Sequence, residues 1–356
     1  MRIQTFELSV RFHTPAFVGN AEQEAQWRVP PFKAQLRQWW RVVTVAAQPA
    51  AFDVAAMRRA EGALFGHAWL DTAASKSQVR LRLSDWTLGT LKKERWTPLQ
   101  KVDNGPAAIA ADLYLGYGPV VPGGRSKPPT LKANAAIQPD AAATLRLACP
   151  VAAAAPIEQA LALMNRFGTV GSRSRNGWGS YSLTTVDGEL APLRIPQRSL
   201  ADALRAPWPL AIGSDDQGAL IWRTAPAADW RAVLVELTRV RIDVNRAFSK
   251  QAGKKSGRVE DRHLLNLPVT DHPVRGWESL RLPNSLRFKV RPAPENPEQL
   301  IGEVFHLPCL PPAEMHRRLA ERRRDWQADL VALWRDVHAL LDERPALQRT
   351  SEGQPS

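Results

Sequence analysis

Phe6, Leu8, Val10 and Phe12 alternate with Glu7, Ser9, Arg11 and His13, the two-residue period of a strand with one buried face. After the turn-forming Thr14-Pro15 and Gly19-Asn20, Pro30 and Pro31 lead into helical spacing at Phe32, Leu36, Trp39 or Trp40, and Val43. A second, short helix is expected from Asp53, a side-chain cap, to Leu64, with Gly66 closing it. Val79, Leu81 and Leu83 alternate with Arg80, Arg82 and Ser84, which predicts a strand with one apolar and one basic face. Leu145 and Leu147 mark a further strand. Ile157 to Phe167 reads as a helix with Leu161 and Met164 at core spacing, and Tyr181 to Val186 as a closing strand. With the short helix set aside, the order is β-α-β-β-α-β. That order predicts a ferredoxin-like, or RRM-like, unit in which an antiparallel sheet carries two helices on one face.

Between Leu88 and Pro139 the periodicity dissolves. Lys92, Lys93, Arg95, Lys101, Arg125, Lys127 and Lys132 lie among Gly-Pro and Pro-Gly-Gly turns, and Asp112 to Gly118 reads as a turn-rich loop. The expectation is a long basic insertion, either solvated or mobile until an anionic partner orders it. Beyond Pro192 and Pro196 a second unit is expected, with a strand at Leu210 and Ile212. Asp229 to Phe248 reads as a helix with Val233, Leu237, Val240 and Val244 on one stripe. Ser249 to Asp261, with Lys250, Lys254, Lys255 and Arg258, reads as a flexible basic loop. Strands follow at Leu286 to Arg291 and Ile301 to Leu307. A closing helix from about Pro312 to Glu343 places Leu319, Trp326, Leu330, Leu333, Val337 and Leu340 opposite the run Arg322-Arg323-Arg324. The predicted class is α+β, with two ferredoxin-like domains over residues 1–190, including the insertion at about 88–139, and 191–356.

Charge narrows the range of partners. The 356 residues carry a formal net charge of +13, which points to a polyanion, commonly nucleic acid. Thirteen tryptophans, several beside arginine or lysine, suit stacking as well as core packing. Cys149 and Cys309 stand far apart in no metal-type spacing, so neither a disulfide framework nor a metal site is expected. No apolar run reaches membrane-spanning length and the amino end lacks a signal-peptide layout, so the expected setting is the cytoplasm. No cofactor, membrane or small-molecule substrate is expected.

The densest chemistry falls between the second predicted helix and the strand at Tyr181. Gly168-Thr169-Val170-Gly171-Ser172-Arg173-Ser174-Arg175-Asn176-Gly177-Trp178-Gly179 combines four glycines with two arginines. Glycine amides can line a concavity that accepts an anion, and guanidinium groups fork onto phosphate oxygens. Trp178 could stack on a base or anchor the loop in the core, and glycine clusters also serve tight turns alone. No Gly-Lys-Ser/Thr ending follows, and the loop enters a strand rather than a helix, so neither a triphosphate loop nor a dinucleotide fingerprint is present.

Several of these segments together resemble a known family. They are Thr14-Pro15-Ala16-Phe17-Val18-Gly19, Val29-Pro30-Pro31-Phe32-Lys33-Ala34-Gln35-Leu36-Arg37-Gln38-Trp39-Trp40-Arg41, Leu64-Phe65-Gly66 and Gly168 to Gly179. In that order they resemble the RAMP superfamily of CRISPR-associated proteins, and within it the first subunits of type III-B (Cmr) RNA-guided effector complexes. Asn20 stands where a second glycine is common, and Ala34 where a helix-entry glycine is common. The resemblance is close in the first half and looser in the second, where Arg262 to Pro268 and Leu286 to Arg291 carry it. It implies two ferredoxin-like domains, guide RNA and target RNA as partners beside other Cmr subunits, and a place holding the 3′ part of the guide without cutting. The RNA-binding residues it implies, together with the residue chemistry, are Lys33, Arg37, Trp40, Arg41, Gly168, Gly171, Arg173, Arg175, Asn176, Gly177 and Trp178. Lys33, Arg37 and Arg41 would form one helix face beside the loop, with the loop amides as the floor of a basic cleft.

Two rivals remain at this stage. Some relatives in the superfamily are metal-independent endoribonucleases that use a histidine, and the candidates here are His13 and His67. His13 is expected at a surface or turn and His67 in a packing or capping role. Alternatively the chain is a protein-docking scaffold, with the arginine run of the closing helix meeting acidic surfaces.

Overall fold

The computed structural model describes residues 2–47, 52–68, 74–105, 107–124, 127–186, 188–248, 257–269, 272–322 and 325–350. The expectations placed on Arg125, Lys250, Lys254, Lys255, Arg323 and Arg324 lie outside them.

The first half follows its hydrophobic pattern. Strand β1 (Ile3–Phe12), helices α1 (Val29–Ala47) and α2 (Val54–Phe65), strands β2 (Arg80–Leu83) and β3 (Ala142–Pro150), helix α3 (Ala154–Phe167) and strand β4 (Tyr181–Thr185) follow one another. The sheet runs β4-β1-β3-β2 with every pairing antiparallel. Leu8 lies opposite Leu145, and Val10 opposite Leu183, so the inward positions of three strands meet on one face. There they pack against Leu36 and Trp39 of α1 and Leu161 and Met164 of α3. Asp53 caps α2 by accepting from the Ala56 amide, and Gly66 closes it at φ +83°.

The second half repeats this connectivity. Strand β5 (Ile221–Thr224), helix α4 (Trp230–Ala247), strands β6 (Leu286–Pro292) and β7 (Leu300–His306), helices α5 (Ala313–Arg322) and α6 (Trp326–Asp342) and strand β8 (Leu347–Arg349) give the order β6-β7-β5-β8. In both sheets the first strand sits between the third and the last. Three expectations need correction. The strand at Ile212–Asp215 belongs to a separate small sheet with Gln197–Ser199 and Gly218–Ala219, and the second unit opens at β5. Three of the four β5 residues are buried, so it shows no alternation to read. The closing helix is two helices, and the chain ends its sheet on β8, too short to carry a period.

The insertion is the largest correction, because it is folded. Short ribbons pair Leu91–Lys92 with Ala135–Ala136, Lys101–Asp103 with Ala108–Ala110, and Val120–Val121 with Thr130–Leu131. Asp112 to Gly118 is a helix at Ala111–Gly116 followed by a turn, not a loop throughout. Trp96, Leu99, Val102, Leu115 and Val120 share one core with Leu234 and Leu237 of α4. Asp112 is fully buried and accepts from the Trp96 indole at 2.9 Å and the Leu113 amide at 3.0 Å. Burial still raises its carboxyl above the usual range.

A buried charged seam joins the halves. Lys289 of β6 donates to the carbonyls of Met164 and Asn165 at the end of α3, where the helix dipole favours a cation. Glu303 of β7 takes Arg166 of α3 at 2.6 Å and Arg291 of β6 at 3.0 Å, with Glu303 and Arg166 both buried. Removing one member leaves buried charge uncompensated. Glu303→Ala is therefore expected to lower stability by about 3–5 kcal/mol in urea unfolding, and a loss under about 1 kcal/mol would count against the seam.

Candidate nucleic-acid interface

The glycine loop links α3 to β4, and its glycines are there because other backbone comes close. Gly171 has φ +95°, and a Cβ on it would stand 2.7 Å from the Phe17 carbonyl oxygen. At Gly179, φ +61°, a Cβ would stand 1.9 Å from that of Val170. The Gly168 amide closes α3 by donating to Met164 at 2.8 Å. The Ser172 and Gly179 amides donate to Phe17 and Pro15 at 3.0 Å, and those of Asn176 and Gly177 to Arg173 and Ser174. These five amides are spent on protein carbonyls, so at Gly168, Ser172, Asn176, Gly177 and Gly179 they do not floor an anion site as expected. The Gly177 carbonyl accepts from the Thr14 and Ser180 hydroxyls, each at 2.8 Å.

The loop also reaches the insertion and the second half. Asn176 donates through Nδ2 to the Leu115 carbonyl at 2.8 Å and pairs in parallel with Phe288 of β6. The Arg175 carbonyl accepts from the Phe288 amide at 2.8 Å. Trp178 is fully buried against Phe17, Trp96 and Trp230, with ring centroids 5.1–6.0 Å apart. Of its two expected roles it fills the anchoring one, and no ring face remains for a base.

The two arginines part company. Arg173 is exposed, sits at φ +57°, and donates through Nε to the Tyr117 carbonyl at 2.6 Å. Arg175 is half-buried, and burial lowers its guanidinium below the usual range. Arg287 and the Cys309 thiol lie near it. Burial first, and Arg175 second, push Arg287 down to about 9, while burial raises Cys309 against both cations.

The basic face of α1 is committed elsewhere. Arg37 Nε and Arg41 Nη1 bond the buried Glu61 of α2 at 2.6 and 2.8 Å, and Lys33 donates to the Ser77 hydroxyl at 2.9 Å. Burial, then the charge of Arg37, lowers the Lys33 ammonium. Trp40 is 5% exposed and packs edge-on against Phe65, so the ring has no open face. These residues face α2, whereas the glycine loop is bounded by Phe17, Leu115, Tyr117 and Phe288. The structure does not bring the two sets into one cleft, because Glu61 draws the arginines the other way.

A different cleft, of about 710 Å³, does border the glycine loop. Phe17 and the Gly19–Ala25 segment form one wall, Gly118, Pro119 and Leu131–Ala135 of the insertion the other, and Ser172 its edge. Asn134 Nδ2 donates to Glu24 Oε1 at 2.6 Å, tying the walls together. Sequence reading missed this cleft because its second wall lies in the insertion, where no periodicity marks structure.

Both candidate histidines lie away from it. His13 is 7% exposed, not at the surface, and burial, then Lys289 and Arg11, push its imidazole down to about 4 while Asp140 pulls the other way. His67 is half-buried, its backbone paired with Ser75 and its ring packed on Gly62. Among the described residues no three His, Cys, Asp or Glu side chains gather as a metal-ligand set, and no helix is long and apolar enough to cross a membrane.

No family model and no curated protein matches the chain. Solved structures do match. Cmr1 from Pyrococcus furiosus in its apo form is 16% identical, over 88% of this chain and 90% of that one, with a TM-score of 0.45. A chain of the type III-B Cmr-beta complex bound to cognate target RNA is 12% identical, over 92% of this chain and 100% of that one, with a TM-score of 0.44.

Two outcomes follow from the loop and its surroundings. Gly179→Ala should cost at least about 2 kcal/mol in urea unfolding, and a neutral result would mean the loop is loosely held. His13, His306 and His338 are all held below the ordinary imidazole value by burial, His338 at about 3. The unfolded chain therefore takes up protons first, so stability present above about pH 6.5 is lost as pH falls through the window toward 4. His13→Gln should remove about 3 kcal/mol of that loss, and an unchanged pH profile would contradict its neutral burial.

Proposed function

We propose that this chain is an RNA-binding, non-catalytic subunit of a type III-B (Cmr) CRISPR effector complex, made of two ferredoxin-like units and working in the cytoplasm. Guide RNA and target RNA are its ligands, other Cmr subunits its neighbours, and its task is to hold the 3′ part of the guide and help capture target. The observation that carries this reading is the interlock of the two RAMP-like motifs. Thr14 to Gly19 and Gly168 to Gly179 bond each other through Thr14 and Gly177, Pro15 and Gly179, and Phe17 and Ser172. Both also line the same cleft, at Gly19 and Ser172, with Arg173 exposed beside it. The repeated β-α-β-β-α-β order, with the first strand between the third and the last, supports the ferredoxin-like reading of each half.

Phosphate contacts of this kind position RNA without reading sequence. A net charge of +13 adds the long-range attraction that such binding uses. Cutting RNA without a metal needs a proton acceptor within hydrogen-bond reach of a ribose 2′-OH. The burial of His13 and the packing of His67 on Gly62 favour binding without cutting.

The isolated chain should bind single-stranded RNA with a log K against log salt slope of about −2 or steeper, equivalent to about three neutralised phosphates. Arg173→Ala should weaken binding by about 1.5–3 kcal/mol at an unchanged melting temperature, and more than Arg175→Ala does. Guide-precursor and target RNAs incubated with excess protein, with and without divalent metal, should be retained intact. A flat salt slope, or a sequence-specific product that His67→Ala abolishes, would overturn the proposal.

A further inference from the structure

Of the three tyrosines in the chain, two are accounted for by the fold. The Tyr114 hydroxyl accepts from Asn245 Nδ2 at 2.8 Å, and Tyr181 is fully buried in the first core. Tyr117 points outward and, at 60%, is the most exposed large apolar or aromatic side chain among the described residues. Its backbone is nonetheless held firmly. It follows directly on the helix Ala111–Gly116, pairs with the buried Val120, and gives its carbonyl to Arg173 Nε at 2.6 Å. An aromatic ring on a fixed backbone, with two side-chain torsions to settle, is a low-entropy platform for a flat partner.

The surroundings say which partner. Gly118, the next residue, lines the 710 Å³ cleft, and a Cβ placed on it would stand 3.9 Å from the Arg173 guanidinium. The Tyr117 backbone, the Arg173 guanidinium and the cleft mouth are therefore adjacent, and the exposed Tyr117 ring stands on that backbone. Charge is divided across this spot. Arg173 is exposed at the side, whereas Glu22, Glu24 and Lys132 line the cleft with the amides of Asn20, Gln23 and Asn134. Two carboxylates against one ammonium disfavour a phosphate there, and amide and carboxylate groups offer the donors and acceptors that nucleobase edges pair with. The volume falls within the range of about 300–1,000 Å³ typical of small-ligand sites. A protein partner would need a contiguous apolar patch, and Tyr117 has a glycine, an arginine and a polar cleft beside it.

We infer that Tyr117 and this cleft form a nucleotide-binding subsite for single-stranded RNA: one base stacks on the Tyr117 ring, its phosphate meets Arg173, and the neighbouring base enters the cleft. The inference rests on the proposed RNA-binding role and adds to it a base contact that phosphate recognition alone lacks. Neither Tyr117 nor the cleft stands out in the sequence, because Tyr117 and one wall of the cleft fall in the insertion.

The test compares two probes on the full chain by fluorescence anisotropy: a short labelled oligouridylate, and an abasic ribose-phosphate oligomer of equal length and charge. Wild type should prefer oligouridylate. Tyr117→Ala should weaken oligouridylate binding about tenfold, leave the abasic oligomer unaffected, and keep the wild-type melting temperature. Tyr117→Trp should restore the preference. If Tyr117→Ala binds oligouridylate as wild type does while Arg173→Ala loses affinity, the subsite is refuted and the RNA-binding role stands. Equal weakening of both probes by Tyr117→Ala also refutes stacking. A wild-type chain that binds neither probe overturns the subsite and the role beneath it together.

Discussion

The molecule turns on a small buried hydrogen-bond network at the Gly177 carbonyl. Thr14 Oγ1 donates to that carbonyl and accepts from the Ser180 amide, and Ser180 Oγ donates to the same carbonyl and accepts from the Val290 amide. Thr14 and Ser180 are fully buried, so each unmade bond would leave a desolvated polar group at a cost of about 1–3 kcal/mol. Three stretches distant in sequence, the end of β1, the glycine loop and the edge strand of the second sheet, thereby have one relative position. The cleft beside Ser172 and the placement of Arg173 depend on that position.

The same economy explains the cations. A strongly basic chain invites the reading that every arginine faces a polyanion, yet many of its arginines hold the fold together. Arg37 and Arg41 tie α1 to α2 through Glu61, and Arg166 and Arg291 tie the halves through Glu303. Arg175 is half-buried near Arg287 and Cys309. Buried ion pairs give little net stability over an apolar core, but moving the halves apart would leave the buried charges of Glu303 and Arg166 unpaired. Against this background Arg173 is distinctive: exposed, in a left-handed backbone conformation, and steadied by a single carbonyl.

Long periodic segments were legible in the sequence. Strands β1 and β3, helices α1, α3 and α4 and the capped α2 lie close to where alternation, helical spacing and Asp53 put them, because each buries one face of a regular element. Legibility failed where elements were short or buried on both sides. Strand β5 hides nearly all its residues, β8 has three, and the insertion folds through paired segments of two or three residues that no period can mark. The glycine loop was visible as a site of close approach, but what approaches it is the protein's own backbone at Phe17 and Val170. Sequence shows that a glycine is needed, not which atoms demand it. Trp40 and Trp178 were ambiguous between core and ligand for the same reason: an indole next to or a few residues from an arginine looks alike in either role until burial is known.

The central claim is that RNA meets the protein where the insertion and the glycine loop adjoin, and not along α1. Photocrosslinking of the full chain to single-stranded RNA carrying 4-thiouridine, followed by mass-spectrometric mapping of the attached peptides, tests it most directly. The account predicts attachment at the peptide holding Tyr117 and at the one holding Ser172 and Arg173. Attachment concentrated on the peptides of Lys33, Arg37 and Arg41, with none at Tyr117 or Arg173, would contradict it.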